Sequence, residues 1–151
     1  MSDEIPEGDV PEQAPPKNIL KVEQIVAGLS QVSKTHDCTS YAFTSLNLEE
    51  KELEEMGECL RQYQHLRFLS LSKNQLKEVS EVLYIPFMLT LNLSENQIAS
   101  IDFLSSARDS LMYLQAITLS KNKLTSLPAL VQPRLSRLLL NENEIATCVA
   151  F

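Results

Sequence analysis

One cadence of apolar and polar positions recurs along this chain. Apolar residues fill its first, fourth, sixth and eleventh places, and asparagine fills the ninth. The cleanest copy is Leu66, Leu69, Leu71, Asn74 and Leu76. It returns as Met88, Leu91, Leu93, Asn96 and Ile98, then as Leu114, Ile117, Leu119, Asn122 and Leu124. The last copy is Leu135, Leu138, Leu140, Asn143 and Ile145, and a degenerate first copy reads Phe43, Leu46, Leu48, Lys51 and Leu53. The fourth and sixth places lie two apart, so on a strand both side chains point the same way, into a core. Each copy therefore predicts one short strand followed by a return segment.

That cadence is the leucine-rich-repeat signature. The copies begin at Phe43, Leu66, Met88, Leu114 and Leu135, which are 23, 22, 26 and 21 residues apart. Units of this kind stack so that each buries its apolar face against its neighbours. The fold expected is an α/β solenoid of the sds22-like subtype, with repeats of about 22 residues. It should have a concave parallel sheet, an N-terminal capping helix and an outer arm reduced to a brief helix or single turn. Met56, Val79, Val82, Ile101, Leu104, Leu127 and Leu130 continue the apolar pattern onto these arms. The longest spacing predicts an extra helical turn in the arm at 102–114, with Phe103, Ala107, Leu111 and Leu114 facing inward. Pro128 and Pro133 predict a short, extended arm in the next unit.

Ahead of the repeats, Ile19, Val22, Ile25, Val26, Leu29 and Val32 fall at helical spacing, with Asn18 placed as N-cap. Gly28 weakens that helix or ends it early. A helix laid across the first unit would cover an otherwise open sheet edge and core. Residues 1–17 combine Pro6, Pro11, Pro15 and Pro16 with Asp3, Glu4, Glu7, Asp9 and Glu12. Such a stretch cannot bury enough surface to offset its ordering entropy. The organisation expected is a disordered acidic tail at 1–17, a helical cap at 18–40, and a repeat domain at 41–151 with its fifth repeat incomplete.

The asparagines belong where each strand must turn, because an amide both donates to and accepts from backbone groups that lose ladder partners there. Asn74, Asn96, Asn122 and Asn143 should form a buried ladder that Lys51 interrupts in the first unit. Glu50, Lys73, Glu95, Lys121 and Glu142 occupy the eighth place and alternate in sign, which predicts register-setting pairs between neighbouring repeats. Outward strand positions carry Arg67, Phe68, Ser70, Leu89, Asn92, Gln115, Thr118, Arg137 and Leu139. Apolar, aromatic and arginine side chains on such a face are candidates for protein binding.

The net charge of −7 changes the picture little once located, because five of the acids precede Lys17. The near-neutral remainder argues against nucleic acid or an anionic membrane as partner. No apolar run approaches the ~20 residues of a membrane span, and the acidic N-terminus does not read as a secretory signal. Cys38, Cys59 and Cys148 are odd in number and widely spaced, and His36 lacks a second pair to complete a zinc site. They are expected to be reduced and mostly buried in a cytoplasmic protein. With two histidines, three glycines and no nucleophile elbow, the sequence offers no catalytic constellation, no metal site and no cofactor site.

The run Gly28-Leu29-Ser30-Gln31-Val32-Ser33-Lys34-Thr35, the degenerate first repeat, and His65-Leu66-Arg67-Phe68-Leu69-Ser70-Leu71-Ser72-Lys73-Asn74 resemble the leucine-rich-repeat-containing protein 23 family of ciliary and flagellar radial spokes. The resemblance covers roughly residues 19–145 and implies a non-enzymatic scaffold of the axonemal cytoskeleton that docks other spoke proteins. A regulatory subunit gripping a phosphatase or another enzyme through its concave face is the alternative. The family's other members carry more repeats and a charged extension, so the chain reads as a short or truncated form. Its last strand, around Leu135, Leu138 and Leu140, is expected to expose an unpaired edge that a partner or a second copy covers.

Overall fold

A computed structural model describes residues 16–105 and 109–148. The acidic tail (except residues 16 and 17), Ala107 in the long arm and the last three residues lie outside that range. The chain opens with helix α1 (Val22–Gly28) and strand β1 (Leu29–Lys34), and then alternates short strands with single 3-10 turns. The strands are β2 (Tyr41–Asn47), β3 (Phe68–Ser70), β4 (Thr90–Asn92), β5 (Ala116–Thr118), β6 (Ser126–Leu127), β7 (Arg137–Leu139) and β8 (Thr147–Cys148). Six of them form one sheet in the order β1-β2-β3-β4-β5-β7, antiparallel only between β1 and β2. The small β6–β8 pair lies in a second, parallel sheet.

The register follows from the repeat spacing. Leu46, Leu69, Leu91, Ile117 and Leu138 pair in one row. Their flanking residues face the other way, because side chains alternate along a strand. The inward row stacks at about 4.8 Å between strands, and with Leu48, Leu71, Leu93 and Leu119 it builds one continuous core. Arm residues Met56, Val79, Val82, Ile101 and Leu104 close that core from behind and are fully or almost fully buried. Single 3-10 turns at Cys59–Gln62, Ser80–Tyr84 and Asp102–Ser105 serve as the arms. Leu111 and Leu114 are buried, but the extra helical turn expected at 102–114 is not seen among the described residues, where 109–113 run as turns and a bend. Past Leu127 the next arm is extended, where Pro128 and Pro133 forbid a helix interior.

Two features of the N-terminal end differ from the sequence expectation. The helix spans only Val22–Gly28, its N-cap is Lys21 rather than Asn18, and the apolar residues beyond it continue as β1. At Gly28 the backbone passes so close to the Asn47 carbonyl that an added Cβ would sit 2.2 Å from its oxygen. This approach lets the chain leave the helix and run antiparallel along β2. The sheet edge is therefore covered by a strand, and the core by Leu20 and Ile25. Phe43, placed in the core by the cadence, is 47% exposed. In the other repeats the chain bends between the first and fourth positions, but β2 runs straight for seven residues. Strand alternation then buries Thr44 and Leu46 and turns Phe43 outward.

Candidate protein-binding face

The asparagines make the most densely bonded features of the fold. The Asn74 amide nitrogen donates to the Leu48, Leu71 and Ser72 carbonyls at 2.9, 2.9 and 3.2 Å, and its oxygen accepts from the Lys51 and Leu53 amides. Asn96 donates to Leu71, Leu93 and Ser94 and accepts from Leu76. Asn122 and Asn143 repeat the arrangement one and two units on. Each amide thus ties its own strand end to the preceding repeat. Asn18, from outside the repeats, donates to the Lys51 and Glu52 carbonyls at 2.9 Å and serves the unit whose ninth place is lysine.

The eighth place has a backbone task that the charge pattern did not reveal. Glu50, Lys73, Glu95, Lys121 and Glu142 all adopt left-handed conformations, with φ between 56° and 58° in every case. This turn aims four of their amides at the next repeat: Glu50 to Ser72, Lys73 to Ser94, Glu95 to Ser120 and Lys121 to Asn141. Of the alternating charges, only Lys73 and Glu50 close to ion-pair distance among the described residues, at 3.1 Å. The hydrogen bond that Lys73 donates to Glu50, then the Glu50 charge, raise the Lys73 pKa, with Glu95 contributing as well. Both side chains are largely exposed, so the pair adds little stability.

With the strands fixed in this way, the open face of the sheet presents two outward rows. One reads Ser45, Phe68, Thr90, Ala116, Arg137, and the other Asn47, Ser70, Asn92, Thr118, Leu139. Phe68 and Leu139 are exposed, at 40% and 41%, and Leu89 is half-buried. Arg67, Leu89 and Gln115 precede the strands and continue the ladder upward through main-chain bonds. The Arg67 guanidinium donates to the Lys34 carbonyl at 2.8 Å and is held against the hairpin. At the lower end, Ser70 donates to Glu49 at 2.8 Å, and hydrogen bonds from Ser70 and then Ser72 lower the Glu49 pKa.

Three groups on this face escaped the sequence reading. Thr90 and Ala116 form its floor between Phe68 and Arg137. Tyr41 and Phe43, with Val32 across from Phe43, extend it onto the hairpin as exposed apolar surface. An aromatic rim runs along the upper strand ends, where the residues before the first apolar positions of the last four repeats are His65, Phe87, Tyr113 and Arg134. His65 stacks on Phe87 with ring centroids 5.9 Å apart, and the Arg134 guanidinium lies 5.1 Å from the Tyr113 ring. His36, at the hairpin tip, stacks on Phe87 at 4.7 Å and lies against Tyr113 at 5.3 Å. Rings one place before three successive repeats, at His65, Phe87 and Tyr113, were the available signal. The tip is shaped by Asp37, whose carboxylate accepts from Thr35 Oγ1, Thr39 Oγ1 and the Thr39 amide. These bonds, the Thr35 one foremost, lower its pKa to about 2.

Cys38 is exposed at this tip and Cys59 half-buried, which corrects the expectation of mostly buried thiols. Both are free. Among the described residues no cluster of metal-ligating side chains occurs, and no helix is long and apolar enough to cross a membrane.

Repeats, parallel sheet and asparagine-bonded turns make this a leucine-rich-repeat protein, a class whose domains bind other proteins. A family model of leucine-rich repeats in two copies matches residues 64–106. The chain is 30% identical over 126 residues to human (Homo sapiens) leucine-rich repeat-containing protein 23, and 32% identical over 127 residues to the same protein of Bos taurus. Each match covers 83% of this chain and 35% of the relative, so the chain spans about a third of their length. The similarity agrees with the family that the pre-repeat and repeat segments resemble.

Proposed function

We propose that this chain is a non-enzymatic, protein-binding scaffold of the ciliary or flagellar radial spoke. The carrying observation is the open sheet face, where Phe68, Leu89 and Leu139 meet solvent between Arg67 and Arg137 on a rigid hydrogen-bonded frame. Aromatic and arginine side chains on a preorganised surface are the types that supply most binding energy at interfaces. The similarity to leucine-rich repeat-containing protein 23 supports the spoke assignment, and with it a place in the cytoplasm, on the axonemal cytoskeleton. The repeats are of the short, sds22-like subtype, and the concave sheet faces other axonemal subunits through Arg67, Phe68, Ser70, Leu89, Asn92, Gln115, Thr118, Arg137 and Leu139.

The domain division has the repeats beginning at Tyr41, preceded by a helical cap at 18–40 and an acidic tail at 1–17. In the assembly a partner covers the β7 edge. Leu135, Leu138, Leu140 and Ile145 are only partly buried there, and sedimentation of the purified chain should show self-association when no partner is supplied.

Proximity labelling in ciliated cells, followed by cryo-electron microscopy of doublet microtubules, tests the reading. Enrichment of spoke subunits is expected, and a uniformly cytosolic distribution would overturn it. For the face itself, Phe68→Ala should weaken a co-purifying spoke partner by about 1–3 kcal/mol while leaving stability nearly unchanged.

A further inference from the structure

Resting on that reading, we infer that the open face takes an acidic polypeptide segment carrying apolar side chains, seated in a trough between Phe68 and Arg137. The trough exists because Thr90 and Ala116, small residues, occupy the two central strands of the row whose outer strands carry Phe68 and Arg137. Three inter-strand steps of about 4.8 Å set those walls roughly 14 Å apart, and a helix with its side chains is about 10–12 Å across. The Phe68 and Arg137 side chains narrow that gap below the width of a helix, so one extended segment fits.

Charge selects its chemistry. Arg134 and Arg137 are exposed and neither meets a carboxylate among the described residues. Arg134 lies over Tyr113 instead, and Arg67 is held by a carbonyl. Of the carboxylates bordering the face, Asp37 at the hairpin tip already accepts three hydrogen bonds from its own turn, and Glu49 at the lower end accepts one from Ser70. Arg134 and Arg137 thus stand without a carboxylate partner, among the described residues, on the β7 side of the trough. Carboxylates at those guanidiniums would make charge-assisted, bidentate bonds, while Phe68 and Leu89 receive the segment's apolar side chains.

The test uses the full chain and a fluorescein-labelled synthetic peptide of alternating glutamate and leucine or tyrosine, with a lysine-for-glutamate version as control. Anisotropy should show saturable binding of the acidic peptide that weakens as salt rises, and none of the basic one. Arg134→Glu with Arg137→Glu should weaken binding by about tenfold or more. Lys121→Glu with Lys123→Glu, the same charge change on the turns below, should alter it less than about twofold. Equal losses in both double variants would overturn the inference, since binding would then follow net charge. Absence of saturable binding would also overturn it. If the acidic peptide fails while Phe68→Ala still releases a spoke partner, the scaffold reading stands and the acidic segment falls. Binding of the peptide with no spoke partner recovered would support the trough and remove the spoke assignment.

Discussion

The first and last described repeats of this stack are covered differently. At the N-terminal end, β1 pairs along the whole of β2, Leu20 and Ile25 cover the core, and Asn18 serves the turn that lacks a ladder asparagine. At the other end the row ends on β7, and Leu135, Leu138, Leu140 and Ile145 are only partly buried. Asn143 makes the same bonds as Asn96 but is half-buried rather than buried. A repeat's stability is supplied largely by the neighbour stacked on it. The same residue type in the same motif is therefore worth different amounts at different places in the stack.

Truncating the ladder gives the largest contrast. Asn96→Ala orphans the buried Leu76 amide and takes one of two donors from each of the Leu71, Leu93 and Ser94 carbonyls, and should cost about 2–4 kcal/mol in denaturant unfolding, about 1–3 of it from the orphaned amide. Asn143→Ala, with water at hand, should cost about 1–2 kcal/mol. Equal losses would mean that burial does not set the value of the ladder.

Making the capped end resemble the open one is the next test. Gly28→Ala places a methyl group against the Asn47 carbonyl and should push β1 off β2, at about 1–3 kcal/mol. Amide exchange along β2 should then rise towards that of β7. Protection that stays intact would show that the helix-to-strand passage tolerates a side chain.

Acid should loosen the hairpin tip more gently. The Asp37 pKa lies below its ordinary value, so its contribution is fully present above pH 3.8 and is lost as pH falls towards about 2. The ring-current shift of His36 over Phe87 should diminish in that window, and Asp37→Ala should remove the pH dependence. A tip unchanged at pH 2 would assign its order to the ring stacking alone.

The smallest effect should be common to the interior and the open end. Glycine at a left-handed position relieves about 1–2 kcal/mol of strain but loses roughly 0.5–1 kcal/mol through greater unfolded-state freedom. Lys121→Gly and Glu142→Gly should each change stability by under about 1 kcal/mol, in the stabilising direction, by thermal unfolding. A clear loss at Lys121 would show that its side chain matters beyond the backbone turn.

Much of this was legible because a leucine-rich repeat is a local code. Period-two alternation places Leu69 and Leu71 inside and Phe68 and Ser70 outside, whatever lies elsewhere, and repeating that pattern sets the row of pairings through Leu138. The sequence by itself determined the repeats, the parallel stack, the inward leucines and the places of the asparagines. Only the tertiary structure decided the rest. Residues 29–34 became a strand because an open edge of β2 offered hydrogen-bond partners that a helix would have left unsatisfied. Phe43 turned outward because that antiparallel pairing held β2 straight. Asn18 reached across more than thirty residues to replace an amide that Lys51 could not supply. His36 came to rest on Phe87 and Tyr113 because the hairpin tip folds back over strands distant in the chain. Each of these outcomes depends on which distant backbone or ring comes within reach, and spacing along the chain does not encode that.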